Sequence, residues 1–197
     1  LGVNFRGSSG YSEKLKEAGK KQWGNLILED IYRATVDVVE RPDIDRSRVA
    51  VLGMSYGGYA ATMLVIKYPE IYQSGVNIAG VSDLSLYVSG SGVSKRQYRW
   101  LKEYVGDNIL EYERLKSISP VYLTEELRKP LLIMHGAKDT VVDVEHAYRL
   151  KLALEKYDKK FSWHIFPEGV HSFSSSDEAE ELFSKASEFI RGSLGGE

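Results

Sequence analysis

Short, nearly continuous apolar runs alternate along this chain with longer stretches whose apolar residues recur every three or four positions. That rhythm predicts βα units and a mostly parallel sheet with helices on both faces, an α/β class fold. The apolar runs at residues 2–5, 48–52, 74–79, 131–134 and 161–166 predict strands. Val49-Ala50-Val51-Leu52 and Leu131-Leu132-Ile133-Met134 contain no polar residue, as strands buried on both faces do. Between them, Asn25 is placed to cap a helix through about residue 40, with Ile27, Ile31, Thr35 and Val38 at helical spacing. A second helix should follow the Gly57-Gly58 pair and run to Lys67, halted by Pro69. Amphipathic patterns at 144–156 and 178–191 predict two more. Pro42, Pro69, Pro120, Pro130 and Pro167 all fall between these elements.

Residues 82–128 break the rhythm. They carry Ser89-Gly90-Ser91-Gly92 and then a polar stretch with Tyr98, Trp100, Tyr104 and Tyr112. This reads as a helical insertion between two strands of one domain spanning 1–197, in a usual place for a substrate-facing cap. The chain opens Leu1-Gly2-Val3-Asn4-Phe5, inside a strand-like run and without an initiator Met, so it reads as a piece of something longer.

Composition narrows the chemistry. With 26 Lys plus Arg against 28 Asp plus Glu, the net charge of -2 gives no support to nucleic-acid binding. The longest apolar stretch, residues 60–66, is far short of the roughly 18–20 residues a membrane span needs, so no membrane partner is expected. Zero cysteines exclude disulfides, thiolate zinc sites and cysteine nucleophiles, and fit a cytoplasmic location. No H-E-x-x-H or carboxylate-rich pattern is visible, so the expected chemistry uses no metal or other cofactor.

Gly53-Met54-Ser55-Tyr56-Gly57-Gly58 follows a buried run and opens a helix, the context of a nucleophile elbow. As a bare pattern G-x-S-x-G is weak; between strand and helix it is strong. Gly53 and Gly57 are expected where a Cβ would strike backbone, pushing Ser55 out on a strained bend. The Tyr56 N–H then points where an oxyanion would form. A serine nucleophile needs a base, and the base an orienting acid, in the chain order Ser, Asp or Glu, His. Asp139 follows the run ending at Met134, and His171 follows the run ending at Phe166. All three would then leave the carboxyl ends of parallel strands, where open α/β sheets build their sites. Asp143 is the better cap for the next helix, which leaves Asp139 for chemistry. Of the other histidines, His135 should make a backbone hydrogen bond, His146 should be solvated, and His164 should be satisfied or at a sheet edge. Gly2-x4-Gly7-Ser8 lacks the lysine of a phosphate-binding loop.

Four segments together resemble the catalytic domain of the prolyl-oligopeptidase family, especially its acylaminoacyl-peptidase and dipeptidyl-peptidase branches. They are Asn4-Phe5-Arg6-Gly7-Ser8-Ser9-Gly10-Tyr11, the elbow through Tyr59, the run from Ser119-Pro120 through Pro130 to His135-Gly136-Ala137-Lys138-Asp139, and Glu168-Gly169-Val170-His171-Ser172-Phe173. The resemblance implies an α/β-hydrolase fold and a Ser55–Asp139–His171 triad. It also implies hydrolysis of short peptides or acylated amino acids. Tyr87 matches the region that forms the family's pocket for the residue before the scissile bond. Val141 stands where many members hold a substrate carbonyl with Arg or Asn. The family's upstream H-G-G-P segment, its neighbouring strand and its propeller or other N-terminal domain are absent from these residues, so the sheet is expected to lack its first strands. The missing N-terminal part is the expected partner, beside a peptide or small acyl substrate; homo-oligomerisation stays open. Two alternatives stand beside the peptidase: a carboxylesterase using the same triad, and an inactive fragment with an incomplete oxyanion hole.

Overall fold

A computed structural model describes residues 1–89, 94–173 and 175–195. In chain order the elements are α1 (Glu13–Glu17), α2 (Leu26–Val39), β1 (Ala50–Met54), α3 (Tyr56–Lys67), β2 (Ser74–Ile78), α4 (Leu84–Val88), α5 (Lys95–Tyr104) and α6 (Tyr112–Ser117). After two short 3₁₀ turns come β3 (Leu131–Gly136), α7 (Glu145–Lys156), β4 (Phe161–Phe166) and α8 (Ser176–Ser193). The residues group into two compact units, Leu1–Ile44 with Asp83–Ser119, and Asp45–Ser82 with Pro120–Glu197.

The first unit is helical, and residues 2–5 form no strand in it. A four-residue run holding Gly2 and Asn4 gives only a weak strand signal, and a strand without a ladder partner leaves its amides unpaired. Here the chain is tied instead by Arg6, whose Nε and Nη2 donate to the Asp30 carboxylate at 2.7 and 2.6 Å, joined by its amide at 3.1 Å. Gly7, at φ 97°, then turns the chain so that its amide meets the Leu15 carbonyl at 2.8 Å. Helices α4, α5 and α6 supply the excursion expected between the second and third strands; residues 90–92 of the Ser89–Gly92 run lie outside the described residues.

The second unit is the sheet, ordered β1-β2-β3-β4 and parallel throughout. Alternation along β2 explains how two helices cover it. Val76 and Ile78 face the core completed by Leu182 and Ala186 of α8. Gly75 faces α3, where a Cβ would stand 2.7 Å from Val65 Cγ2. Nine consecutive residues of α3, from Gly58 to Ile66, are buried, because this helix packs on both β1 and β2. β3 is buried along its whole length, as its unbroken apolar run predicts. β1 is not: it begins two residues later than expected and, among the described residues, pairs only with β2, and Leu52 and Met54 are 44% and 38% exposed. An apolar run thus marks a strand correctly here but misjudges its place in the sheet, which depends on neighbours distant in sequence. No helix among the described residues is long and apolar enough to cross a membrane.

Candidate active site

Parallel pairing puts the ends of β1, β3 and β4 on one edge of the sheet, with Met54 in register with Ile78, Ile78 with Met134, and Met134 with His164. Each chemistry-bearing segment begins just past that edge. Ser55 follows Met54 directly and sits at φ 57°, a left-handed conformation that costs a non-glycine residue roughly 1–3 kcal/mol. Its amide donates to the Ile78 carbonyl at 2.8 Å and its carbonyl accepts from Tyr59 N–H at 3.1 Å, so strand and helix hold the bend from both sides. Serine commonly caps a helix with its hydroxyl, yet Ser55 makes no such bond to α3. Tyr56 opens α3, a position whose N–H has no acceptor within its own helix.

The glycine expectation needs one correction. A Cβ on Gly53 would lie 2.3 Å from the Gly57 carbonyl oxygen, so Gly53 must be glycine, whereas a Cβ on Gly57 would meet nothing within 4 Å. The second obligatory glycine is Gly58, whose Cβ would strike Asn77 Oδ1 at 2.7 Å and the Ile78 carbonyl at 2.8 Å. Asn77 also holds the elbow's surroundings: its amide nitrogen donates to Thr62 Oγ1 at 2.9 Å and its oxygen accepts from Gly80 N–H at 2.9 Å.

The loops after β3 and β4 are stitched together. Ala137 N–H donates to the Phe166 carbonyl and Lys138 N–H to the Gly169 carbonyl, both at 2.9 Å. Gly136 lets them touch, since a Cβ there would stand 2.4 Å from Gly169 O. This brings Asp139 to His171, whose Nδ1 lies 2.7 Å from Asp139 Oδ2. A carboxylate only accepts, so Nδ1 carries the hydrogen and Nε2 keeps its lone pair. Asp139 Oδ1 accepts from the amides of Val141 and Val142 at 2.8 and 2.9 Å. Asp139 is 5% exposed. Burial alone would raise its carboxyl; bonds from His135, His171 and the two amides outweigh that and hold it well below the usual carboxylate range.

The other expected residues fall in different places. Val141 spends its amide on Asp139 and leaves an exposed apolar side chain. Tyr87 lies on α4, in the helical unit, stacked on Trp23 with ring centroids 6.0 Å apart. Asp143 does accept from the start of α7, at Glu145 N–H. His146 is not solvated but 2% exposed: its Nδ1 accepts from Ser82 N–H at 3.3 Å and its carbonyl from Ser82 Oγ at 2.6 Å. It sits on the inner face of α7, a position that the helical spacing from Leu150 and Leu154 could have revealed. His164 lies on the edge strand β4, with Nε2 3.1 Å from Glu181. His135 makes the expected backbone bond, to the Val142 carbonyl at 2.8 Å, and lies in addition 3.4 Å from Asp139 Oδ2.

Comparison with known proteins gives this geometry its context. The chain is 32% identical over 201 residues to dipeptidyl peptidase family member 6 of Caenorhabditis elegans, covering 100% of this chain and 27% of that protein. It superposes with a TM-score of 0.90 and 26% identity on an acylaminoacyl peptidase solved in complex with Z-Gly-Gly-Phe-chloromethyl ketone, covering 99% of this chain and 32% of that one. Inactive dipeptidyl peptidase 10 of Rattus norvegicus is also similar, at 27% identity over 84% of this chain and 20% of its own length. The chain therefore spans about a fifth to a third of these proteins, and the fold is that of an α/β-hydrolase catalytic domain. The sequence model of the prolyl oligopeptidase family matches residues 1–197, and the chain belongs to that family.

Proposed function

We propose that this chain carries the catalytic machinery of a serine peptidase, with Ser55 as nucleophile, His171 as general base and acid, and Asp139 as the orienting carboxylate. The observation that carries this reading is the 2.7 Å contact between His171 Nδ1 and the buried Asp139 carboxylate, which leaves Nε2 able to take a proton. Ser55 Oγ attacks the scissile carbonyl as its proton passes to His171 Nε2, and the Tyr56 N–H donates to the oxyanion of the tetrahedral intermediate. The imidazolium then protonates the leaving amine, giving an acyl-enzyme on Ser55. Water attacks that ester with His171 again as base, which returns the serine. Asp139 stays ionised throughout. Short peptides, including those bearing a blocked or dipeptide amino end, are the expected substrates, in keeping with the dipeptidyl peptidase and acylaminoacyl peptidase relatives.

An inactive relative makes a direct test of Ser55 necessary. The folded chain is treated with a fluorophosphonate and read by intact mass, with Ser55→Ala as control. A single adduct that disappears in the control is expected. No adduct on a chain whose circular dichroism shows it folded would overturn the reading for this chain. Ester and anilide substrates of one acyl group then separate peptidase from esterase: cleavage of the ester alone would leave an esterase.

A further inference from the structure

Asp139 is the acceptor for more than the catalytic base. His135, the penultimate residue of β3, is 1% exposed and approaches the same carboxylate from inside the sheet. Its Nε2 lies 2.8 Å from the Val142 carbonyl oxygen, which can only accept, so Nε2 carries the hydrogen. The same nitrogen lies 3.4 Å from Asp139 Oδ2, the oxygen that His171 uses. The residue whose carbonyl His135 holds matters more than that long contact. Val142 N–H is one of two amides holding Asp139 Oδ1, so the ring fixes the far end of the turn that presents the carboxylate. The near end is fixed by the backbone bonds from Ala137 and Lys138. The buried Val142 side chain fixes the position of its residue; the ring adds the orientation of its carbonyl.

We infer that His135 is a positioning residue for the acid–base pair, holding Asp139 in line with His171 through Val142, whose carbonyl it holds and whose amide binds the carboxylate. This rests on the triad reading above. A core histidine serving packing alone would not need its one donor aimed at this carbonyl. Asp139 is the titratable group in contact with its ring, and His171, from the loop after β4, bonds the same carboxylate. Between the two routes, the 2.8 Å bond outranks the 3.4 Å contact, so the effect runs through geometry rather than through charge shared on Oδ2.

The experiment compares His135→Gln, whose side-chain amide restores a donor near Nε2, with His135→Leu, which keeps bulk and loses the donor. Two signals are read on the folded chain: the low-field proton resonance of the His171–Asp139 hydrogen bond, and the rate of Ser55 phosphonylation. His135→Leu is expected to broaden the resonance into the solvent and slow phosphonylation on the order of tenfold. His135→Gln is expected to keep both near wild type. Should the leucine variant fail to fold, His135→Asn, whose shorter amide cannot reach Val142, takes its place. An unchanged resonance and rate in the donor-less variant would overturn the inference, and so would equal losses in the glutamine variant. A wild-type chain showing neither signal overturns the triad reading itself, and this inference with it.

Discussion

The elbow and the acid–base loops solve the same problem by opposite means. At the elbow, Gly53 and Gly57 touch across four residues of one turn, and the strain is held locally on Ser55. At the acid–base side, Gly136 and Gly169 touch across two strand exits, and Asp139 reaches His171 from 32 residues away. Ser55, the proposed nucleophile, is placed by steric exclusion within a hexapeptide; the Asp139–His171 pair proposed to activate it is placed by hydrogen bonds between distant segments. Steric placement fails abruptly when a single atom is added, whereas a hydrogen-bonded placement loosens by degrees.

The largest effect should come from breaking the elbow. Gly53→Ala puts a methyl group 2.3 Å from a backbone oxygen that has no side chain to rotate away, so a loss of about 3 kcal/mol and of Ser55 phosphonylation is expected. Gly57→Ala sharpens the point, because its Cβ enters open space. Urea denaturation should place that variant within about 1 kcal/mol of the parent, on the stable side, since alanine is the better helix former. Gly136→Ala attacks the other side. Its methyl must push the two loops apart by roughly 1 Å, which should slow phosphonylation on the order of a hundredfold while thermal melting shows the chain still folded.

The smallest effect is one of pH. The folded-state carboxyl of Asp139 titrates below its unfolded value, so its contribution to stability is present above about pH 4 and is lost as the pH falls through the lower folded value. The stability difference between the parent and Asp139→Asn, measured by urea titration, should therefore narrow steadily on acidification below about pH 4. A difference that stayed constant down to pH 2 would show that the carboxylate gains nothing from its bonds.

This contrast also explains what could be read from residues alone. That Ser55, Asp139 and His171 each follow a strand end was legible because turn glycines and strand ends are local signals, and the Asp139–His171 contact agrees with the chain order. The end of α3 and the bounds of β4 came through for the same reason, one set by Pro69, the other by Pro167 beyond Phe166, whereas α3 begins at Tyr56, before the glycine pair expected to precede it. What stayed hidden depends on neighbours that no local pattern names. Leu52 reads as core but faces outward on a strand paired on one side only, and residues 2–5 read as a strand but have no ladder to join. His146 reads as a polar surface residue until Ser82, 64 positions earlier, is seen against it. Asn77, a polar residue inside a buried strand, signals a cross-link, but its partners Thr62 and Gly80 become evident only once α3 lies on the sheet.

The order of the three residues along the chain has a consequence for synthesis. Ser55 leaves the ribosome first and His171 last, and the core over β2 and β3 closes only when Leu182 and Ala186 of α8 arrive. On the proposed triad, the nascent chain until then holds its serine before the loops that place the acid and the base have been packed together. The fold thus brings the proposed acid–base pair to the serine late in its assembly.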